Sequence, residues 1–335
     1  MKDNLIKISH GGGGLIMHRL LNEEIIPVLS DRAQTVLEDA AVLDAPGAKL
    51  AFTTDSYVVN PLFFPGGDIG KLAICGTVND LSMRGAKPLW ISVGLIIEEG
   101  FSIADLRKIL KSAKKAAEEA GVAIVAGDTK VVERGKADGL FINTSGVGVI
   151  REEPLISVAK AKPGDALIIN GTIGDHGIAI VTYRETFPFK VSVESDCAPL
   201  SSLVETMLAS GEVHALRDPT RGGLASALNE IADASKCSIE IWEESIPVRD
   251  EVRGICEVLG LDPLGVANEG KVLAAVKSED AEEIVSKMRS QKYGSDSCVI
   301  GKVLEGPPGE VRLATSIGSR RILTMPSGEQ LPRIC

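Results

Sequence analysis

Aspartates recur in the first half of the chain beside apolar, strand-like segments. They are Asp39, Asp55, Asp68, Asp80 and Asp128. Carboxylates of this kind bind Mg²⁺, and the bound ion can bridge the phosphates of a nucleotide. A single aspartate is more often a helix cap or a turn residue. Several of them beside apolar strands favour a site for a metal ion and a nucleotide.

Glycine-rich stretches accompany these aspartates. Four glycines, Gly11–Gly14, follow His10, and their N–H groups are open to phosphate oxygens. No Gly-Lys-Ser/Thr follows and no convincing strand precedes, which excludes a Walker A loop and a Rossmann fingerprint. Taken alone, the stretch is more simply a flexible linker. Further along, Lys71 follows a Gly-Gly turn as a possible phosphate contact, and Asn79 precedes Asp80.

The second half offers three short polar motifs. GTIGDHG contains His176, RDPTRGGLA contains Asp218 and Arg221 just before a helix, and ANEGK contains Glu269. The start of a helix attracts anions, and a carboxylate placed like Glu269 can act as a general base. Each motif alone is weak, because a lone His or Glu in a turn is more often structural.

The last residue of the chain is a cysteine, Cys335. Chain ends fray, and a frayed thiol is open to oxidation. Chance is the simple interpretation; the alternative is a mobile arm whose thiol carries a chemical group. The six cysteines form no CxxC pair, which argues against a zinc or dithiol motif. In a reducing compartment, the other five are expected to be small buried hydrophobic residues.

Composition narrows the class of protein. A length of 335 residues indicates two domains, and a net charge of −10 disfavours nucleic acids and anionic membranes as partners. No apolar stretch is long enough to span a bilayer, and the N-terminus lacks the apolar core of a signal peptide. We therefore expect the protein to be cytoplasmic.

Strand-like and helix-like segments alternate along the chain. Segments rich in β-branched residues predict strands at 50–59, 89–99, 122–132 and 140–150, and an amphipathic pattern predicts a helix at 102–121. The second half predicts a strand running from 166 to 177, helices near 199–210 and 222–235, and strands at 239–242, 271–278, 298–304 and 311–314.

Proline and glycine near residue 155 mark a boundary between domains. The prediction is a first domain at 1–155, a second at 156–328 and a mobile tail at 329–335 that carries Cys335. The fold class is α/β (α+β), with two mixed α/β domains in series and a flexible C-terminal tail.

Taken together, the motifs resemble the HypE family of hydrogenase maturation factors. The resemblance runs through HGGGG, TTDSYVV, FFPGGDIGKLAICGTVND, AGDTKVV, GTIGDHG, RDPTRGG and NEGK to the terminal PRIC, and covers essentially the whole chain. HypE proteins are carbamoyl dehydratases of the PurM-like superfamily, which includes aminoimidazole ribonucleotide synthetase, selenophosphate synthetase and thiamine-monophosphate kinase. The acidic site is common to the superfamily, whereas the terminal PRIC is special to HypE.

The resemblance implies two PurM-like domains, of which the first binds ATP and forms a homodimer. ATP and Mg²⁺ are the implied cofactors, with ATP in a cleft beneath the glycine-rich segment. HypF would place a carbamoyl group on Cys335, ATP-dependent dehydration would convert it to a thiocyanate, and the cyanide would pass to iron held by the HypC–HypD complex.

The same resemblance assigns roles residue by residue. The residues implied to position the metal and phosphates are Asp39, Asp55, Asp80 and Asp128. The implied catalytic residues, besides the carrier Cys335, are Glu269 and Lys130 for proton transfer and orientation, with His176 as a further candidate. The implied contacts to the nucleotide are Gly11, Gly12, Gly13, Gly14, Asp68, Lys71 and Asn79.

Two alternatives stay open. One is another PurM-like phosphotransferase or synthetase, such as a selenophosphate synthetase, although HGGGG lacks the Cys or Sec expected in that loop. The other is a non-catalytic metal-assembly scaffold whose terminal cysteine binds iron, which the acidic cluster argues against. Full activity of a Cys335→Ala variant would favour the first alternative.

Overall fold

The computed structural model describes residues 14–25, 38–150, 155–184, 192–328, 331 and 333–335. Its first sheet is built from five strands, β1 Ala41–Ala45, β2 Ala48–Tyr57, β5 Ala86–Glu98, β6 Ala123–Val132 and β7 Leu140–Ile150. Their spatial order is β1-β2-β7-β5-β6. Strands β5 and β6 are parallel, and the other neighbours are antiparallel. A separate ribbon pairs β3 Phe63–Phe64 with β4 Gly67–Asp68.

Helices cover one face of this sheet. They are α2 Ile69–Met83 and α3 Ile103–Ala120, while the short α1 Leu15–Leu20 continues into a π-helical turn, Leu21–Ile25. The predicted helix at 102–121 is confirmed as α3, which begins after the Ser102 cap and ends at Gly121 with φ 70°. Its residues Ile109, Ala113, Ala116 and Ala117 are buried, whereas Leu110 is 42% exposed.

The other face of the sheet carries large apolar side chains in contact with solvent. Phe52, Trp90 and Ile96 are 41%, 49% and 44% exposed. On the helix-facing side of the same strands, Ala51, Tyr57 and Ile91 are buried. The strands therefore alternate between a packed face and an open apolar face.

The second sheet contains seven strands, β8 Ala166–Ile169, β9 Val213–Arg217, β10 Ser238–Trp242, β11 Leu273–Val276, β12 Cys298–Leu304, β13 Val311–Ala314 and β14 Arg320–Ile322. Their spatial order is β14-β13-β10-β12-β8-β11-β9, and only β10 and β13 are a parallel pair. The helices of this domain are α4 Asp175–Tyr183, α5 Ser201–Ser210, α6 Gly223–Ser235, α7 Asp250–Leu259 and α8 Ala281–Arg289.

This sheet is packed on both faces. Along β8, Leu167 and Ile169 join the cluster that contains α6, whereas Ala166 and Ile168 join the cluster that contains α5 and α8. Because adjacent residues of a strand point to opposite faces, the continuous apolar run of β8 serves two cores. No helix among the described residues is long and apolar enough to cross a membrane.

The structure corrects the sequence-based assignment at several elements. The strand predicted at 166–177 ends at Ile169, and α4 begins at Asp175 after a turn in which Gly174 has φ 83°. Helix α4 is apolar around most of its circumference and buried, so it lacks the amphipathic period of a surface helix. The sequence analysis also did not predict β1, α7 or α8. The helices expected near 199–210 and 222–235 are confirmed.

A buried amide joins the two domains. Asn79 on α2 donates to the carbonyls of Ala198 (3.0 Å) and Glu269 (3.3 Å), and its oxygen accepts the Leu200 N–H at 2.8 Å. Its side chain has one donor group and one acceptor group, and both are used by the second domain.

We expect Asn79→Ala to lower the free energy of unfolding by about 2 to 3 kcal/mol, because it leaves the buried Leu200 N–H without an acceptor. Urea denaturation measures the change. Asn60→Ala is the control, since the exposed Asn60 amide contacts Asp138 where water can replace it; its effect should stay below about 1 kcal/mol. Equal midpoints for the two variants would contradict the prediction.

Candidate functional site

A cavity of about 680 Å³ lies between the two domains. The first domain contributes walls from α1, β2, α2 and the Glu38–Asp39 segment. The second contributes the loop after β9, part of α6, Glu269 and the last residue of the chain, Cys335. The cavity thus joins residues that lie far apart in the sequence.

Three carboxylates meet at one end of this cavity. Asp39 precedes β1, Asp80 lies on α2 and Asp218 follows β9, and one oxygen of each lies within 4.8 Å of the others. Burial, and then repulsion from neighbouring carboxylates that begins with Asp218, raises the pKa of Asp80 well above its ordinary value. Burial and the charge of Asp39 do the same for Asp218. Ionisation of all three carboxyl groups at once is therefore energetically unfavourable.

The cluster has the features of a site for a hard divalent cation. Asp39 Oδ2 is buried without a hydrogen-bond partner among the described residues. All three side chains offer carboxylate oxygens, the ligands that Mg²⁺ prefers. The residues present therefore fit the metal ion that the sequence predicts.

A cationic side chain of the second domain, Arg217, contacts the cluster. Arg217 contacts Asp39 at 2.5 Å and Glu230 at 2.6 Å. Burial opposes ionisation of Glu230, but its interactions with Arg217 and His18 together outweigh burial and keep the pKa of Glu230 below its usual range. His18 on α1 lies 3.1 Å from the other oxygen of Glu230. This chain of contacts links α1, which lies over the cavity, to Asp39.

Glu269 lies in the same cavity and is buried. Burial, and then the nearby Cys197, Asp218 and Asp55, raises its pKa well above the ordinary value. A carboxyl group whose pKa moves toward neutrality can exchange a proton at working pH. Its backbone is fixed as well, because Asp196 accepts the Glu269 N–H at 3.0 Å.

Cys335 also lines the cavity, because the end of the chain is docked there. The sequence predicts a mobile tail, whereas the structure shows Arg333–Cys335 bound to the first domain. The N–H groups of Val58 and Asn60 donate to the carbonyls of Cys335 and Arg333, each at 3.1 Å. Ile334 is buried in an apolar cluster to which both domains contribute.

Arg221 brings positive charge next to this cysteine. The negative charge of Cys335, followed by those of Asp55 and Glu269, raises the pKa of Arg221 above its ordinary value. Its Nη2 lies 3.8 Å from Asp55 Oδ1. An anion formed between the carboxylate cluster and Cys335 would meet this guanidinium.

The structure brings together five of the residues predicted for the site: Asp39, Asp55, Asp80, Glu269 and Cys335. His176 lies beneath the docked tail rather than in the cavity lining. Of the predicted glycines, Gly14 packs against the Pro326 carbonyl; Gly11, Gly12 and Gly13 lie outside the described residues.

Three predicted nucleotide contacts have other partners and do not line the cavity. Asp68 caps α2 by accepting the N–H groups of Gly70 and Lys71. Lys71 Nζ donates to the Gly66 carbonyl at 2.8 Å. Asn79 joins the domains, as described above. Their predicted roles at the nucleotide stay untested.

Asp128 lies away from this cavity within the same chain. In the register of the sheet, Asp55 on β2 lies opposite Thr144 on β7, and Thr144 lies opposite Val93 on β5. Gly94, the residue after Val93, lies opposite Asp128 on β6. Asp55 and Asp128 are thus three strand spacings apart, about 14 Å. Because Gly94 and Val93 are successive residues, Asp128 points to the opposite face of the sheet from Asp55. Lys130 lies on that open face too, 2.9 Å from Asp128.

Sequence reasoning did not assign Asp218 to the metal cluster, and it missed Arg217, Glu230 and His18. The motif RDPTRGGLA contains Arg217 and Asp218, but its position before a helix indicated only an anion site. Nothing in the local sequence around His18 or Glu230 signals a functional contact.

Comparisons with known proteins define the class. Residues 37–150 match the model described as AIR synthase related protein, N-terminal domain, and residues 162–314 match the corresponding C-terminal domain. The two domains are thus those of an AIR synthase related protein.

Individual relatives are more specific. The carbamoyl dehydratase HypE of Rhodobacter capsulatus is 48% identical over 100% of this chain and 99% of its own length. The chain therefore belongs to the HypE family of carbamoyl dehydratases.

Solved structures agree with this assignment. A HypE–HypF complex matches with a TM-score of 0.87 and 50% identity, covering 92% of this chain and 99% of the other. A HypE structure in complex with ATP matches with a TM-score of 0.83 and 45% identity, covering 99% and 100%.

We expect Mg²⁺ to raise the melting temperature by about 4 °C or more at about 100 times its Kd, because it relieves repulsion among Asp39, Asp80 and Asp218. Since the pKa values of these groups are raised, protons compete with the ion, and the effect should grow from about pH 6 to about pH 8.

Differential scanning fluorimetry with and without Mg²⁺ measures this shift. Asp218→Asn should lose most of it, whereas Asp250→Asn, an equal change of charge at the exposed start of α7, should keep it. A shift of the same size in both variants would show that the ion binds elsewhere.

Proposed function

We propose that this chain dehydrates a carbamoyl group on its own Cys335 to a thiocyanate, using ATP. The observation that carries the proposal is the position of Cys335, which lines the same cavity as the carboxylate cluster and Glu269. The name of its relatives and the ATP complex of one of them support the same activity.

The chemistry explains why these groups share one cavity. The amide oxygen of a thiocarboxamide is a poor leaving group, and transfer of the γ-phosphoryl group of ATP to it creates a good one. Loss of phosphate breaks the C–O bond, and the nitrogen must lose both protons as the C≡N bond forms. Mg²⁺ at the carboxylate cluster would neutralise phosphate charge during the transfer. Exclusion of water from this cavity during the reaction would protect the intermediate from hydrolysis.

Two residues of the cavity suit the remaining steps. Glu269, with its raised pKa, is the proposed acceptor of a nitrogen proton. Arg221, placed between Asp55 and Cys335, is suited to hold the departing phosphate. Asp55, Asp39 and Asp80, with Asp218, position the metal and the nucleotide phosphates. The glycines that precede α1 are proposed to cover the nucleotide, since α1 itself lines the cavity.

The reaction needs a carbamoyl donor and a cyanide acceptor. A complex of HypF with a relative supports HypF as the donor for this chain. We further propose that the HypC–HypD complex accepts the cyanide, and that the protein works in the cytoplasm.

We also propose a homodimer formed through the first sheet. Strand β6 lies at the edge of this sheet, and its residues from Ala123 to Val131 are all exposed. An open edge next to an apolar face is a surface that invites pairing with another chain. In such a dimer, Asp128 and Lys130 face the second copy, which gives them a route to the site of the partner subunit.

The direct test follows Cys335 by mass spectrometry. The protein is incubated with HypF, carbamoyl phosphate and ATP, and the peptide that follows Glu329 is released by cleavage behind glutamate. We expect Cys335 to gain a carbamoyl group and then to lose one water when Mg²⁺ is present. An unmodified Cys335, with HypF active on a control protein, would refute the proposal and favour a phosphotransferase.

Glu269→Gln should stop the reaction at the carbamoylated Cys335. The raised pKa of Glu269 means that its carboxyl group binds a proton more tightly in the folded state than in the unfolded chain. Ionisation of Glu269 therefore lowers the stability of the fold as the pH rises above the unfolded pKa. Glutamine resembles the protonated acid, and the free energy of unfolding at about pH 8 should therefore be unchanged or higher. Dehydration at the normal rate in this variant would exclude Glu269 as the base.

Val131→Lys tests the homodimer. Val131 on β6 is 68% exposed, so the change should cost the monomer little but should place charge in the proposed interface. We expect a dimer for the wild type and a monomer for the variant in light scattering coupled to size exclusion. Ile317→Lys, at an 87% exposed turn of the second domain, is the control. A wild-type monomer, or a dimeric Val131→Lys protein, would contradict the proposal.

A further inference from the structure

The docked end of the chain is held mainly by its backbone. The carbonyls of Arg333 and Cys335 accept from the N–H groups of Asn60 and Val58. The carbonyl of the residue between them, Ile334, is met by a side chain instead: His176 Nε2 lies 2.5 Å from its oxygen. All three final carbonyls therefore have a donor, as buried backbone groups require.

The surroundings of His176 determine its tautomer. A carbonyl oxygen can only accept, so Nε2 carries the proton and Nδ1 is left as an acceptor. Ser195 Oγ lies 2.7 Å from Nδ1 and itself accepts the Cys197 N–H at 3.1 Å. One chain of hydrogen bonds thus runs from Cys197 through Ser195 and His176 to Ile334.

Burial keeps this imidazole neutral and fixed. The side chain is fully buried, and its ring packs edge-on against Phe64 at 5.6 Å between centroids. Burial, opposed by the charge of Asp196 and the contact to Ile334, lowers the pKa of His176. It contacts the backbone of the tail, one residue before the thiol.

The same hydrogen-bonded segment also reaches Glu269. Asp196, between Ser195 and Cys197, accepts the N–H groups of Glu269 (3.0 Å) and Gly270 (3.3 Å). Lys271 Nζ lies 3.0 Å from the same carboxylate. The residues that dock the tail and the residues that hold Glu269 are therefore one connected unit.

We propose that His176 is a positioning residue for the carrier tail: its Nε2–H binds the Ile334 carbonyl and thereby sets Cys335 in the cleft opposite Glu269. The docking follows from the contacts alone, whereas its consequence for dehydration rests on the proposed function. His176 has no direct part in the bond-making steps.

The first experiment measures docking without any catalytic reaction. Cys335 is alkylated with iodoacetamide in the native protein, and the peptide that follows Glu329 is quantified by mass spectrometry over time. His176→Phe keeps a ring of similar size but removes the donor, and we expect Cys335 to react about fivefold to tenfold faster. His176→Gln keeps an N–H donor and should restore most of the protection.

The chain supplies controls for this measurement. His214→Phe removes the other buried histidine of the second domain, which contacts Asp165 and Glu212, and should leave Cys335 as slow as in the wild type. The buried Cys75 and Cys237 report general unfolding, because they become alkylated only if the domains open. Alkylation confined to Cys335 separates release of the tail from loss of structure.

The second measurement divides the reaction into its two steps. In His176→Phe, transfer of the carbamoyl group to Cys335 should be at least as fast as in the wild type, because the free tail is the acceptor. Dehydration should be slower by about the factor seen in alkylation, with an unchanged KM for ATP. His176→Gln should dehydrate at close to the wild-type rate.

The outcomes are distinct. Equal alkylation of Cys335 in the wild type and His176→Phe overturns the proposal, as does His176→Gln behaving like His176→Phe. Faster alkylation with unchanged dehydration overturns the positioning role. Loss of dehydration in both variants without faster alkylation would make His176 catalytic instead. If wild-type Cys335 is never carbamoylated, the proposed function fails while the alkylation result still decides the docking.

Discussion

Mutual repulsion among Asp39, Asp80 and Asp218 is the constraint on which the cleft depends. Their oxygens lie within 4.8 Å of one another in a buried place, which is unfavourable unless cations compensate. The fold supplies a permanent cation, Arg217, which contacts Asp39 and also Glu230. The remaining charge is what a metal ion would neutralise. Each carboxylate comes from a different segment, so the cluster exists only while the two domains are packed together.

That dependence explains the polar contacts between the domains. Asn79 lies one residue before Asp80 on α2 and binds three backbone groups of the second domain. One of them is the carbonyl of Glu269. The helix that carries the proposed metal ligand Asp80 is thus fixed directly to the segment that carries the proposed base. A shift of one domain would disturb both, which couples the geometry of phosphoryl transfer to that of proton transfer.

The sequence predicted the elements whose pattern is local and missed those set by tertiary contacts. Helix α3 was predictable because its cap, its amphipathic period and Gly121 are adjacent in sequence. Helix α4 was not, because its buried run from Asp175 to Ile180 leaves no solvent-facing polar stripe and its apolar residues also fit a strand. In the site, Asp39, Asp55 and Asp80 were found through motif resemblance. Arg217 contacts Asp39 across the cleft and Glu230 within its own domain, and His18 contacts Glu230 from α1. No local pattern encodes these contacts.

The docking of the tail through its carbonyls has a chemical consequence. In the proposed reaction, the side chain of Cys335 carries a free thiol, a thiocarboxamide and a thiocyanate in turn. Contacts made by the carbonyls of residues 333–335 are the same in all three states, since none of them involves the sulfur substituent. The cleft can therefore receive each form in one position. The three forms are all uncharged and differ in their hydrogen-bonding groups, so discrimination among them would fall to polar side chains of the same cavity, such as Glu269 and Arg221.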